Sequence, residues 1–191
     1  MRNVAILALL SVFAIGCGFN EVIEADEDVK AAWADVENHY QRRADLVPNL
    51  VATVKGVKNY ERETLEAVVQ ARAKVGSIQV DSSIIDDPER LEAFERAQGQ
   101  LGSALSRLIA VAEDYPELKA TDAYRDLQTQ LEGTENRIAV ARRRYIEAVA
   151  EYNKVVLRFP SMIGASLRGK KERPTFKATT ENAHVAPEVD L

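Results

Sequence analysis

Residues 120–159 hold the feature that most restricts the fold. Tyr124, Leu127, Leu131, Thr134, Ile138, Ala141, Tyr145, Ala148, Tyr152, Val155 and Phe159 follow one another in steps of three and four. An α-helix gathers such positions into one stripe, whereas a strand needs alternation at every second residue. The spacing predicts one helix of about 39 residues, roughly 58 Å long at 1.5 Å per residue. Ile146, Val149 and Val156 widen the stripe, so this helix is expected to touch two or more neighbours rather than a single coiled-coil partner. A second stripe runs through Leu91, Phe94, Gln98, Leu101, Leu105, Leu108, Ala112 and Tyr115. It follows DDPE, where Asp86 or Asp87 is placed to cap the helix and Pro88 suits its first turn. Between residues 76 and 88, GSIQVDSSIIDDP has turn residues at both edges and is expected to pack as a loop over one end of a bundle. With 9 Gly, 6 Pro and 6% aromatic residues, the composition also favours helices over sheets.

The chain opens with MRNVAILALLSVFAIGCG, a charged start at Arg2 followed by an apolar run from Val4 to Ile15 and then small residues around Cys17. A membrane-crossing helix needs about 20 apolar residues, and the acids beginning at Glu21 close this run too early. Residues 1–16 therefore read as a lipoprotein-type signal peptide, with an uncleaved short anchor as the alternative. Ala14-Ile15-Gly16-Cys17 resembles a bacterial lipobox, which makes Cys17 the expected lipid attachment point and first mature residue. Cys17 is the only cysteine, so no disulfide competes for it. Acyl chains on one residue hold a protein stably at a bilayer. The lone Arg2 before the run and the acids after it point the remainder away from the cytoplasm.

Residues 22–75 pose a problem of coverage. Val22, Val29, Trp33, Val36, Tyr40, Val47, Leu50, Val54, Val57, Leu65, Val68 and Val75 could all line one rod of roughly 80 Å. The later helices would cover only its second half and leave Trp33, Val36 and Tyr40 bare. Burying such side chains is worth about 1.5–3 kcal/mol each. A reversal at Arg43-Ala44-Asp45-Leu46-Val47-Pro48 is accordingly expected, with Asp45 as N-cap and Pro48 in the first turn of the next helix. The segments would then run to about 24, 29, 27 and 39 residues and pack as an all-α, up-and-down four-helix bundle. A continuous helix kinked at Pro48 is the competing arrangement. Arg42, Arg43, Asp45, Pro48 and Asn49 form the densest polar cluster, read either as caps and pairs fixing the turn or as a recognition patch at the bundle's end.

Two long stretches resemble the LemA family of bacterial envelope proteins. One is AAWADVENHYQRRADLVPNLVATVKGVKNYERETLEAVVQARAKV at residues 31–75; the other is the closing stretch EYNKVVLRFPSMIGASLRGKKERPTFKA at residues 151–178. The closing motif comprises Tyr152, Asn153, Phe159, Pro160, Pro174 and Phe176. Gly169-Lys170 and Pro174-Thr175-Phe176 stand where relatives commonly carry Gly-Phe and Pro-Tyr-Phe, so this chain has no aromatic side chain at those two positions to offer a partner. The resemblance implies a membrane-anchored helical bundle over residues 17–178, with no established enzymatic activity. Residues 179–191 match nothing in the pattern and are expected to form a loose acidic tail.

Chemistry is sparse. His39 and His184 lie far apart, and with one cysteine they assemble no His/Cys metal site. Glycine-rich phosphate loops, serine elbows and HExxH are absent, and pairs such as Glu61 and Glu63 read as helix surface. Residues 137–177 are basic, and Arg142-Arg143-Arg144 is the sharpest basic feature. Consecutive helical positions splay around the axis, so these three are read as a solvated face pairing with acidic helices. No cofactor, metal or nucleic acid is expected. The expected function is a non-enzymatic envelope scaffold or adaptor, tethered to the membrane through Cys17, whose partners are another envelope protein and copies of itself. The alternative is a binding module for a small apolar or anionic ligand, and the two differ in whether the interior is filled or holds an apolar pocket.

Overall fold

The computed structural model describes the backbone of residues 2–57, 61–81 and 83–176, and the side chains of those ranges from residue 20 onward. The described residues are all-helical. Helix α1 spans Arg2–Lys55, α2 Arg62–Gly76, α3 Pro88–Ala112, α4 Pro116–Lys119, α5 Asp122–Leu157 and α6 Ser161–Leu167; a short 3-10 turn covers Ile84–Asp86.

The reversal expected at Asp45–Pro48 does not occur. Helix α1 continues through Pro48 to Lys55, and the chain turns back only between Lys55 and Arg62. Four segments of comparable length therefore do not form. Asp45 caps nothing; its carboxylate accepts a hydrogen bond from Gln41 Nε2 at 2.8 Å along the same helix. A proline inside a helix has no N–H to give the carbonyl four residues earlier. That carbonyl, Ala44 O, instead accepts a hydrogen bond from Arg72 Nε of α2 at 3.0 Å. The break in the ladder is thus met from a neighbouring helix, which lets α1 run on.

Coverage, the reason for expecting a reversal, is supplied from elsewhere. Helix α5 packs antiparallel along α1, with Arg158 bonded to Glu21 at one end and Arg142 to Tyr40 midway. Around the C-terminal half of α1, α2 and α3 complete the packing. Leu46, Leu50 and Val54 meet Leu65 and Val68 of α2, Leu101, Leu105 and Leu108 of α3, and Leu127 and Leu131 of α5. Around the N-terminal half, the places of α2 and the end of α3 are taken by three non-equivalent pieces. These are the 77–87 loop through Ile84 and Ile85, α6 through Ala165, and the segment after α6 through Phe176. Trp33 is only 3% exposed as a result. Its ring lies 5.4 Å from both Phe94 and Tyr145 and 6.1 Å from Phe176, centre to centre.

Local signals explain the other boundaries. Asp87 accepts from the backbone N–H groups of Glu89 and Arg90, with Pro88 opening α3. Thr121 caps α5 through Tyr124 N. The stripe of α5 is buried from Tyr124 to Val156 apart from Ala148, which is partly covered, and the widening position Ile146, which is exposed. Phe159, the last position of the expected stripe, lies beyond the end of α5 at Leu157 and is 73% exposed.

Candidate functional site

The two apolar clusters are separated by a polar layer that no apolar stripe would supply. Arg43 of α1 is 3% exposed. It donates from Nη1 to Glu135 Oε1 at 2.9 Å and from Nη2 to both Oε1 and the backbone carbonyl of Gln98, at 2.6 and 2.9 Å. Its guanidinium also sits 5.0 Å above the ring centre of Tyr40. Arg142 of α5 extends the layer, donating to the Tyr40 hydroxyl at 2.9 Å and to Glu95 Oε1 at 3.0 Å, with its guanidinium 4.2 Å over the ring of Phe176. A buried guanidinium is tolerable when acceptors and a π face meet it; both Nη atoms of Arg43 find acceptors and the Tyr40 ring supplies the face, while its buried Nε has no partner.

Above this layer α3 and α5 stand apart, leaving an open groove of about 1400 Å³. Tyr40 and Arg43 form its floor. One wall carries Glu92, Arg96 and the small residues Gly99, Gly102, Ser103 and Ser106; the other carries Glu135, Ile138, Arg142, Arg143 and Ile146. A Cβ at Gly99 would meet nothing within 4 Å, while one at Gly102 would stand 3.4 Å from Arg43 Nη1. The wall of α3 is therefore low enough for another backbone to approach.

A second polar cluster ties the closing stretch to the N-terminal half of α1. Arg173 pairs with Asp26 at 2.8 Å and with Asp86 at 2.6 Å, and its guanidinium stacks 4.7 Å over Tyr152. Asn153 brackets the same residue, accepting from Arg173 N at 2.9 Å and donating to Arg173 O at 3.0 Å. Tyr145 donates to Pro174 O at 3.3 Å. Burial on its own would raise the Asp26 carboxyl, but hydrogen bonds from Lys30 and Lys170 and the charges of Arg173 and Lys170 outweigh it and hold it below the ordinary carboxylate value. Burial raises the Tyr145 phenol well above its usual range.

The cluster Arg42, Arg43, Asp45, Pro48 and Asn49 is divided by this geometry. Arg43 points inward, and the other four face solvent on one continuous helix, so the set does not build a turn. Of the closing motif, Tyr152 and Asn153 hold Arg173, Pro174 O accepts from Tyr145, and Phe176 packs against Trp33 and Tyr145 beneath Arg142, while Phe159 and Pro160 are exposed. The arginine run splays as its spacing requires, yet Arg142 belongs to the interior layer rather than to the solvated face; Arg143 and Arg144 are exposed. The side chain of Cys17 lies outside the described residues. Nothing in the sequence pattern marks Asp26, Glu95 or Arg173 for these pairings. Gln98 was signalled, being a polar residue on an otherwise apolar stripe. Among the described residues, no group of three or more His, Cys, Asp or Glu side chains is placed to hold a metal ion, and no helix is long and apolar enough to cross a membrane.

The sequence model of the LemA family matches residues 32–191, which takes in α1 from just before Trp33, the polar layer and the closing stretch. The chain belongs to the LemA family. Among relatives of this LemA-family protein are the magnetosome proteins MamQ 1 and MamQ 2 of Paramagnetospirillum magneticum, each 27% identical over 90% of this chain and 71% of their own length. Protein LemA of Metamycoplasma hominis is 26% identical over 73% of this chain and 60% of its own length. The matches to the two MamQ proteins, like the family match, extend over most of the helical bundle, so the resemblance seen at residues 31–75 and 151–178 is that of the family.

Proposed function

We propose that this protein is a non-enzymatic scaffold of the bacterial envelope, held at a membrane by acylated Cys17, whose bundle receives a helical segment of another envelope protein between α3 and α5. The observation that carries this reading is the parting of α3 and α5 over the Arg43 layer. Small side chains at 99, 102, 103 and 106 admit close backbone approach, and the charged rim of Glu92, Arg96, Glu135 and Arg143 supplies complementary pairing for a polar partner face. A small apolar ligand fits this groove poorly, because such ligands take enclosed, mainly apolar walls. The apolar run of Val4–Ile15 with the lipobox-like Ala14–Cys17 supports the tether. The names of the relatives, magnetosome protein and LemA, specify no reaction.

Photo-crosslinking in intact membranes tests the groove. With a crosslinking side chain at Ser106, a discrete adduct is expected, and Gly99→Trp, which fills open space on the groove wall, should abolish it without lowering the melting temperature. An adduct that survives Gly99→Trp, or no adduct at all, would remove the groove from the reading.

A further inference from the structure

The end of the bundle where α1 emerges from its apolar N-terminal run carries a cluster of bare apolar side chains. Helix α6 buries Ser161, Gly164 and Ala165 against the bundle and turns Met162, Ile163 and Leu167 outward; Leu157 and Phe159 extend the same surface. Phe159 and Leu167 are 73% and 74% exposed. On a water-soluble surface, side chains of this size are normally scattered rather than gathered on one short stretch.

Their height along α1 decides what they meet. Arg158, just before α6, bonds to Glu21, and Lys170, just after it, bonds to Asp26. Helix α6 therefore sits beside residues 21–26 of α1. At 1.5 Å per residue, Cys17 lies only about 6 Å, and Ile15 about 9 Å, beyond Glu21 along the same helix. The polar zone on each side of a bilayer is about 5–8 Å deep. A tether entering the bilayer at Cys17 thus places the Arg158 end of α6 at headgroup level, and one entering at Ile15 leaves that end within a side chain's length of it. Exposed Arg158 and Lys171 and the partly exposed Lys170 flank the apolar surface, an order suited to a lipid interface in which acyl carbon lies below anionic headgroups.

We infer that the α6 surface, Leu157, Phe159, Met162, Ile163 and Leu167, rests in the interface of an anionic phospholipid bilayer and fixes how the tethered bundle stands on it. The inference depends on the membrane tether proposed above. The test uses the full-length protein reconstituted into phosphatidylglycerol-containing vesicles that carry a phospholipid with a photoactivatable diazirine near its headgroup. After illumination and proteolysis, lipid adducts are expected on the peptide spanning residues 157–167. The double variant Phe159→Ser, Leu167→Ser removes only exposed side chains, so its melting temperature and its flotation with vesicles should be unchanged. Its adducts on that peptide should fall about tenfold, equivalent to about 1.4 kcal/mol of interfacial affinity. Adducts confined to the N-terminal peptide, on protein that floats with the vesicles, would overturn the inference and leave the tether intact. So would crosslinks from residues 157–167 to residues 177–191 or to a second copy in place of lipid. Failure of the protein to float would overturn the tether and the inference together.

Discussion

Pro48 offers the sharpest quantitative test of the continuous α1. Proline in a helix interior is about 3 kcal/mol less favourable than alanine. In this chain the carbonyl that proline orphans is already satisfied by Arg72, and leaving such an acceptor unpaired accounts for about 1 kcal/mol. Pro48 is exposed, so replacing its ring sacrifices little packing. Pro48→Ala is therefore expected to stabilise the protein by about 2 kcal/mol, or roughly 4–8 °C in melting temperature for a chain of this size. Arg72→Ala should cost about 1 kcal/mol in the parent chain and about half of that beside Pro48→Ala, because the restored N–H then serves the Ala44 carbonyl. Urea and thermal unfolding of the four proteins, followed by helical circular dichroism, would close the cycle. Had Pro48 begun a separate helix, its replacement would be neutral or would destabilise by about 0.4–1 kcal/mol through the freer unfolded chain. Either that outcome or strict additivity of the two substitutions would refute the reasoning.

Phe176→Ala should destabilise by about 3 kcal/mol and shift the emission of Trp33, the only tryptophan, to longer wavelength, since the Phe176 ring closes the Trp33 pocket; unchanged emission would mean that the pocket is closed by something else. Because the folded Asp26 carboxyl is held below its unfolded value of about 3.9, its contribution to stability is complete above about pH 4 and is lost as the pH falls through the folded value. Urea midpoints measured from pH 2 to 7 should accordingly show a weaker acid-side decline for Asp26→Asn, from a lower plateau, than for the parent. At the other extreme, the Tyr145 phenol is raised, so its contribution is complete below about pH 10 and is lost above it; Tyr145→Phe should flatten the alkaline limb of the same curve.

The helices of the second half were legible because their signals are local. The stripe from Tyr124 to Val155, the Asp87–Pro88 start and the loop at 76–88 each depend on residues close in sequence, and each lies within a few residues of where the sequence pattern puts it. The course of α1 was not, for a definable reason. Whether Pro48 starts a helix or is carried through one depends on a donor 24 positions later, Arg72. Whether Trp33 is stranded depends on Phe176, which follows it by more than a hundred residues. Helices alone do not cover the N-terminal half of α1; a loop, a two-turn helix and an extended segment do. The polar layer was partly visible in Gln98, since a glutamine on a leucine stripe asks for a partner. Nothing local in QRRAD distinguishes the arginine that faces inward from the one that faces water. That choice follows from the register of α1 against Tyr40 and Val47, which share the buried face with Arg43.

The order in which the chain is made adds a consequence to the division of α1 into two differently covered halves. The half containing Leu50 is closed by α2, α3 and the start of α5, all complete once the ribosome has passed about residue 131. The half containing Trp33, although made first, lacks its last wall until Phe176 has emerged. Assembly must therefore finish beside the oldest part of the polypeptide, and a nascent or truncated chain ending before residue 176 keeps an aromatic gap open there, where an export factor or quality-control protease would find it.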